Sequence, residues 1–255
     1  MKIEILFPEV CNLFGDLGNI RYLKKVLPQA EFCSTPLCGD VRFVREKVDL
    51  VYLGAMTEQT QERVIQKLMP LRDDISKEID GGTVFLFTGN ALEIFGDYIE
   101  NEDGSRIDGL GLYRLHAKRD RQNRHNSAFL GEFDGNAVMG IKTQFSMSYT
   151  PDDSTGLFKV VKGVGLNRDA SAEGIRVHNF FGTYLLGPLL VQNPPFMRYL
   201  LRLIGAENTP LAFEKEADEA YVVRLEEYRD EAFVAEKAPE SNKLPIPKLP
   251  IRFKH

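Results

Sequence analysis

Apolar positions along the first hundred residues switch between a period of two and a period near 3.6, and the switching predicts strands alternating with helices. Ile3–Phe7 alternates and predicts a first strand; Asn19–Leu27, with Ile20, Leu23, Val26 and Leu27 at helical spacing, predicts a helix. Ala30–Thr35 and Asp49–Leu53 predict two further strands, and Glu58–Ile75 a long amphipathic helix that turns Val64, Ile65 and Leu68 inward. Thr83–Phe87 is apolar without alternation, as expected of a central strand buried on both faces.

From Asp97 to Thr150 the texture changes to short alternating runs between Gly, Asp and Asn clusters, which predicts hairpins. Ile175–Leu190 returns to the main sheet, and Pro195–Ile204 and Phe213–Tyr228 predict helices. These elements predict an α/β protein: a three-layer αβα sandwich on a mostly parallel central sheet, with a small antiparallel extension. The domain is expected over residues 1–236. Residues 237–255 carry Pro239, Pro245, Pro247 and Pro250 and predict an extended tail, with Leu244–Ile251 able to dock a partner or its own domain.

Composition narrows the picture. A 43% hydrophobic content allows a sizeable core, and a net charge of −5 disfavours nucleic-acid binding, because phosphate contacts need a basic surface. Cys11, Cys33 and Cys38 form no CxxC pair and suit a reducing compartment. Met1 runs directly into the first strand, and the apolar stretch Asn179–Val191 is broken by Gly182, Gly187 and Pro188. No leader, no membrane span and a cytoplasmic location are expected. No metal-ligand spacing and no dinucleotide fingerprint is present, so no cofactor is expected.

The chemistry-bearing segment is Thr83–Gly96. A buried strand turns through Thr88-Gly89-Asn90 into a predicted helix with Ala91, Ile94 and Phe95 on its apolar face. An ordinary βα turn and a nucleophile elbow both fit that layout. Ligands of open α/β sheets bind at this end of the strands.

Three further stretches carry a resemblance. Cys11-Asn-Leu-Phe-Gly-Asp-Leu-Gly-Asn19-Ile20 resembles the Asn-Leu-Tyr-Gly-Asp-x-Gly-Asn motif of cobyric acid synthase-type class I glutamine amidotransferases. Leu53–Gln61 is similar to their Leu-Gly-Gly-Gly-Gln-Asp-x-x-Gln segment, and Gly182–Leu190 to Gly-Thr-Tyr-Leu-His-Gly-Pro-Leu-Leu. Within that family these motifs resemble those of the glutaminase subunit of lipid II isoglutaminyl synthase. The resemblance runs from Ile3 to about residue 205. It implies a Mur-ligase-like synthetase partner, a peptidoglycan precursor as the amidated molecule, and glutamine or a related amino acid as ligand. It also implies backbone N–H donors at Gly54 and Ala55, Asn90 beside the elbow, and an arginine for the glutamine carboxylate, nearest to Arg124.

The departures fall where that family keeps its nucleophile and base. Its elbow motif, Cys-Gly-Gly-Tyr-Gln, puts Gly89 in the cysteine's place, and its histidine falls on Leu186. A shift by one residue puts Thr88 there, whose hydroxyl needs an adjacent base. A leucine cannot exchange protons. Cys11, Cys33 and Cys38 read as small buried hydrophobes, and His178, eight residues from Leu186, as a strand-edge residue. The run His116–His125 reads as a solvated basic hairpin. Three readings stand together: a glutaminase-like subunit without catalysis, an active subunit with an unorthodox site, and a small-molecule module in the glutamine pocket.

Overall fold

The alternation in the first hundred residues builds one half of the molecule, seen in a computed structural model that describes residues 1–236. The predicted tail, with Leu244–Ile251, lies outside the described residues. Strands β1 (Lys2–Leu6), β2 (Glu31–Thr35), β3 (Leu50–Leu53) and β4 (Val84–Thr88) pair in parallel in the spatial order β2-β1-β3-β4. Every residue of β3 and β4 is buried, as the unbroken apolar runs require. Helix α1 (Gly18–Val26) buries Ile20, Tyr22, Leu23 and Val26 and leaves Lys24 and Lys25 in water.

The single helix expected over 58–75 is two, α2 (Glu58–Leu68) and α3 (Arg72–Asp80), separated by a 3₁₀ turn at Met69–Leu71. Pro70 supplies no N–H and cannot continue the α2 ladder. Thr57 caps α2, its hydroxyl accepting from the Thr60 N–H at 3.2 Å.

The antiparallel part is larger than a small extension. Strands β5 (Tyr98–Glu100), β6 (Arg106–Asp108), β7 (His116–Arg119) and β10 (Ser146–Tyr149) make a separate four-stranded sheet ordered β10-β7-β5-β6. Strands β8 (His125–Phe133), β9 (Asn136–Gln144), β11 (Gly156–Lys162) and β12 (Ala172–Val177) join the main sheet instead. Together with β13 (Phe180–Thr183) they continue it as β4-β13-β12-β11-β8-β9. The nine-stranded sheet is therefore mixed: parallel through the β4·β13 pair and antiparallel beyond it.

Successive side chains of β4 feed two cores. Phe85 and Phe87 join Phe95 and Phe180 beneath α2, α3 and the small sheet. Val84 and Leu86 face α1 and the C-terminal helices α4 (Leu189–Gln192) and α5 (Pro194–Leu203). The last helix, α6 (Glu214–Arg229), lies over the free edge of β9. There Tyr221 Oη donates to the Ala137 carbonyl at 2.9 Å. Asn193 accepts from the Met139 N–H at 2.7 Å and donates to its carbonyl at 2.8 Å, and the Leu186 N–H donates to the Ile141 carbonyl at 3.1 Å. Among the described residues no helix is long and apolar enough to cross a membrane.

Candidate functional site

The elbow follows directly from β4. Gly89 stands one residue beyond the strand with φ +62°, a conformation that glycine adopts at little cost. The segment after it, Gly89–Phe95, is a 3₁₀ helix rather than the expected α-helix. A β-carbon on Gly89 would stand 2.5 Å from the Ala55 methyl and 3.2 Å from Leu186 Cδ2. The positions matched to the family's nucleophile and base thus lie side by side, although 97 residues apart in sequence. What fills the space between them is aliphatic.

Beneath the elbow sits Asp16, fully buried, from the first βα loop. Its carboxylate accepts from Thr88 Oγ1 at 2.5 Å, from the Ala55 N–H at 2.8 Å and from the Gly187 N–H at 2.6 Å. Burial pushes its pKa up, opposed by those hydrogen bonds. Asn19 extends the tie: its Nδ2 donates to Tyr52 Oη at 3.1 Å and its Oδ1 accepts from the Leu190 N–H at 3.1 Å. The glycine at position 54 is required here, because a β-carbon would stand 2.7 Å from the Cys11 carbonyl and 2.8 Å from the Asp16 carboxylate.

This arrangement corrects one expectation. The Ala55 N–H, expected as a free donor for a developing oxyanion, is already spent on Asp16. The next donor, the Met56 N–H, is held by Asn90 Oδ1 at 3.0 Å, while Asn90 Nδ2 returns a bond to the Met56 carbonyl at 2.9 Å. Asn90 acts as a strap between elbow and loop.

A cavity of about 290 Å³ opens beside the elbow, lined in part by Ala55, Met56 and Asn90 on one side and by Glu93, Arg119, Arg124 and Gln144 on the other. Gly89 and Leu186 do not line it. A larger, more open groove of about 640 Å³ lies at the opposite end of the sheet, around Asp49 and Thr83. The smaller cavity is the candidate site: it adjoins the elbow, and its wall holds two buried polar atoms without partners, Arg119 Nε and Gln144 Oε1.

Arg124 does reach this cavity, with its guanidinium over the Phe145 ring at 4.6 Å. The buried arginine, however, is Arg119, which the basic-hairpin reading passed over. Its side chain is 2% exposed and donates to Glu62 and Asn101, each at 3.0 Å, and to Gln61 Oε1 at 2.8 Å. The signal was present: Arg119 shares the parity of Ala117 along β7, the face turned to the core.

Glu93 was also missed. It occupies the place of the glutamine in the resembling elbow motif. Its carboxylate accepts from Gln61 Nε2 at 2.8 Å, from Tyr184 Oη at 2.8 Å and from Ser146 Oγ. Burial raises its pKa despite these donors and the nearby Arg119. A carboxyl whose folded pKa is raised stabilises the fold when protonated. That contribution is lost as pH rises from its unfolded value of about 4.3 through the folded one. Glu93→Gln removes this titration, so its melting temperature relative to the unsubstituted chain should climb as pH rises over that window. A difference that stays flat between acid and neutral pH would contradict the assignment.

Among the described residues no thiol or imidazole completes an elbow chemistry. Cys11 is buried, 3.8 Å from Met56 Sδ, and burial pushes its thiol up to about 12. Cys33 is buried on β2, whereas Cys38, expected to be buried, is exposed on a loop. His178 sits with positive φ in the β12–β13 turn, at the opposite end of β13 from the elbow, and its side chain is 69% exposed. His116 is stacked between Tyr98 and Tyr149 on the small sheet. His125 is buried against Ser127 and Glu236. His255 lies outside the described residues.

Comparison with known proteins adds what the chain is similar to. The profile of the CobB/CobQ-like glutamine amidotransferase domain matches residues 2–194. The chain is 27% identical over 205 residues to the lipid II isoglutaminyl synthase (glutamine-hydrolyzing) subunit GatD of Streptococcus pneumoniae (strain ATCC BAA-255 / R6), covering 76% of each protein. It is 26% identical over 213 residues to the subunit of the same name from Staphylococcus aureus (strain N315), covering 81% of this chain and 85% of that one. Among solved structures, a glutamine amidotransferase from Thermotoga maritima superposes with a TM-score of 0.52 at 10% identity, over 88% of this chain and 92% of that one. At that identity the likeness concerns the fold.

Proposed function

Because the chain belongs to the CobB/CobQ-like glutamine amidotransferase domain family, we propose that it is a glutaminase-like subunit that does not hydrolyse glutamine and serves a Mur-ligase-like synthetase as a partner. The observation that carries this reading is the filled elbow. A nucleophile needs a β-carbon at position 89, and the Ala55 methyl and Leu186 already occupy that space. Proton exchange with a nucleophile needs an imidazole or carboxyl where Leu186 lies. The similarity to subunits of lipid II isoglutaminyl synthase supports amidation of a cell-wall precursor as the setting.

Activity and complex formation test this. Ammonia release from glutamine should be undetectable for the chain alone and for its complex with a Mur-ligase-like protein encoded nearby. Replacing Cys11, Cys33 or Cys38 by Ala should change nothing. The complex should bury more than about 1,200 Å² and melt above either component, since binding only the folded state stabilises it. Turnover abolished by one cysteine substitution would reverse the reading.

The two unpaired buried atoms favour a second reading, a module that binds glutamine or a related amino acid in the cavity. Arg119 Nε asks for an acceptor and Gln144 Oε1 for a donor, and an α-amino acid offers both. Titration calorimetry with glutamine on the isolated chain, together with absence of the complex, would favour this alternative.

A further inference from the structure

Beyond α6 the described residues 230–236 stay on the domain. Lys162 Nζ donates to the carbonyls of Arg229 and Asp230 at the helix end, at 3.2 and 2.7 Å, and Phe233 stacks on Tyr228. The chain then runs antiparallel to β8: the Ala128 N–H donates to the Ala235 carbonyl at 2.7 Å, and Ser127 pairs with Glu236. The slot exists because β11 pairs with β8 only at Leu130–Glu132, with an irregularity between Val160 and Lys162. The rest of that β8 edge is left for residues 235–236.

The slot is closed by charge. Arg168 grips the Glu236 carboxylate with both terminal nitrogens, at 2.8 and 2.6 Å, and His125 Nδ1 lies 3.2 Å from the same group. A bidentate guanidinium–carboxylate pair fixes direction as well as distance.

On its other side β8 pairs with β9, and the register there reaches the cavity. His125 is opposite Gln144 and Asn126 opposite Thr143; Thr143 and Gln144 line the cavity, and Arg124 lies one residue before His125. We propose that residues 230–236 are a strap that holds the cavity's outer wall, so that release of Glu236 from Arg168 and His125 loosens Arg124, Thr143 and Gln144. The device would let an event at the C-terminal end of the described chain act on the cavity without touching the elbow. It requires neither catalysis nor a synthetase, and it stands apart from the function proposed above.

Hydrogen exchange of the full chain, followed by mass spectrometry, tests it. In Glu236→Ala and in Arg168→Ala, amides of 125–129 and of 141–146 should exchange faster by about tenfold, while β1, β3 and β4 keep their protection. The charge-swapped pair Arg168→Glu with Glu236→Arg should restore protection in both segments. Glu236→Gln, which keeps the shape and loses the charge, should fall between. Faster exchange confined to 230–236, with 141–146 unchanged, would make the strap a passenger and overturn the proposal. A uniform rise in every segment would overturn it too, as the signature of general destabilisation.

Discussion

Asp16→Ala should be the most damaging single substitution around the elbow, lowering stability by about 3–5 kcal/mol. The carboxylate serves three donors from three separate parts of the chain: Thr88 Oγ1 on β4, the Ala55 N–H after β3 and the Gly187 N–H after β13. Each buried donor left unpaired costs about 1–3 kcal/mol. Asp16 is fully buried, so bulk solvent does not reach the three donors in the folded protein. Denaturant titration measures the loss directly. A drop below about 1 kcal/mol, the net worth of one ordinary hydrogen bond, would show that the three donors find other acceptors and that Asp16 is not the anchor described.

Gly89→Ala should lower the melting temperature by on the order of 10 °C, as each kcal/mol shifts a domain of this size by roughly 2–4 °C. Two costs add. An alanine at φ +62° is strained by about 1–2 kcal/mol, and its methyl would stand 2.5 Å from that of Ala55, an overpacking worth about 1–3 kcal/mol. The second cost belongs to the pair, so Ala55→Gly should recover it. In a double-mutant cycle the combined variant should be more stable than the sum of the single changes by about 1 kcal/mol or more. Gly89→Ala melting within 2 °C of the unsubstituted chain would mean that the elbow has room for a side chain. The case for a filled nucleophile position would then fail.

The sequence was most legible where chemistry is local. Strands β1 to β4 announce themselves by short-range pattern, and α5 and α6 by theirs, because period and burial are set within a few residues. The motif from Asn12 to Asn19 was recognisable, but what Asp16 and Asn19 do in it was not. Their partners Gly187 and Leu190 lie 171 residues away, and no window along the chain contains both. The mixed sheet escaped for a related reason. Alternation in β8 and β9 shows half-buried strands and is silent on which neighbour each pairs with or in which direction. At the cavity the exposed-looking run His116–His125 hid a buried arginine. Charge suggested solvent, while strand parity with Ala117 pointed to the core, and the ion pair with Glu62 lets parity win. Gly89 was placed correctly from the strand–turn pattern alone, whereas Ala55 as its obstacle emerged only from three-dimensional packing.

The parallel pair β4·β13 sets the order in which this molecule becomes itself. Thr88 and its partner Thr183 are separated by roughly ninety residues of chain, so at about 5–20 residues per second on the ribosome the outer edge of β4 waits on the order of 5–20 s for its neighbour. During that interval Val84–Phe87 is an apolar strand with one unpaired side, and loop-closure entropy opposes its completion. The eight strands made in between, β5 to β12, pair first among themselves, and the elbow, which needs Leu186 and Gly187, closes last. A nascent chain cut short before Phe180 therefore has the cavity's lining residues but no closed elbow, and β4 keeps an exposed apolar edge of the kind chaperones cover.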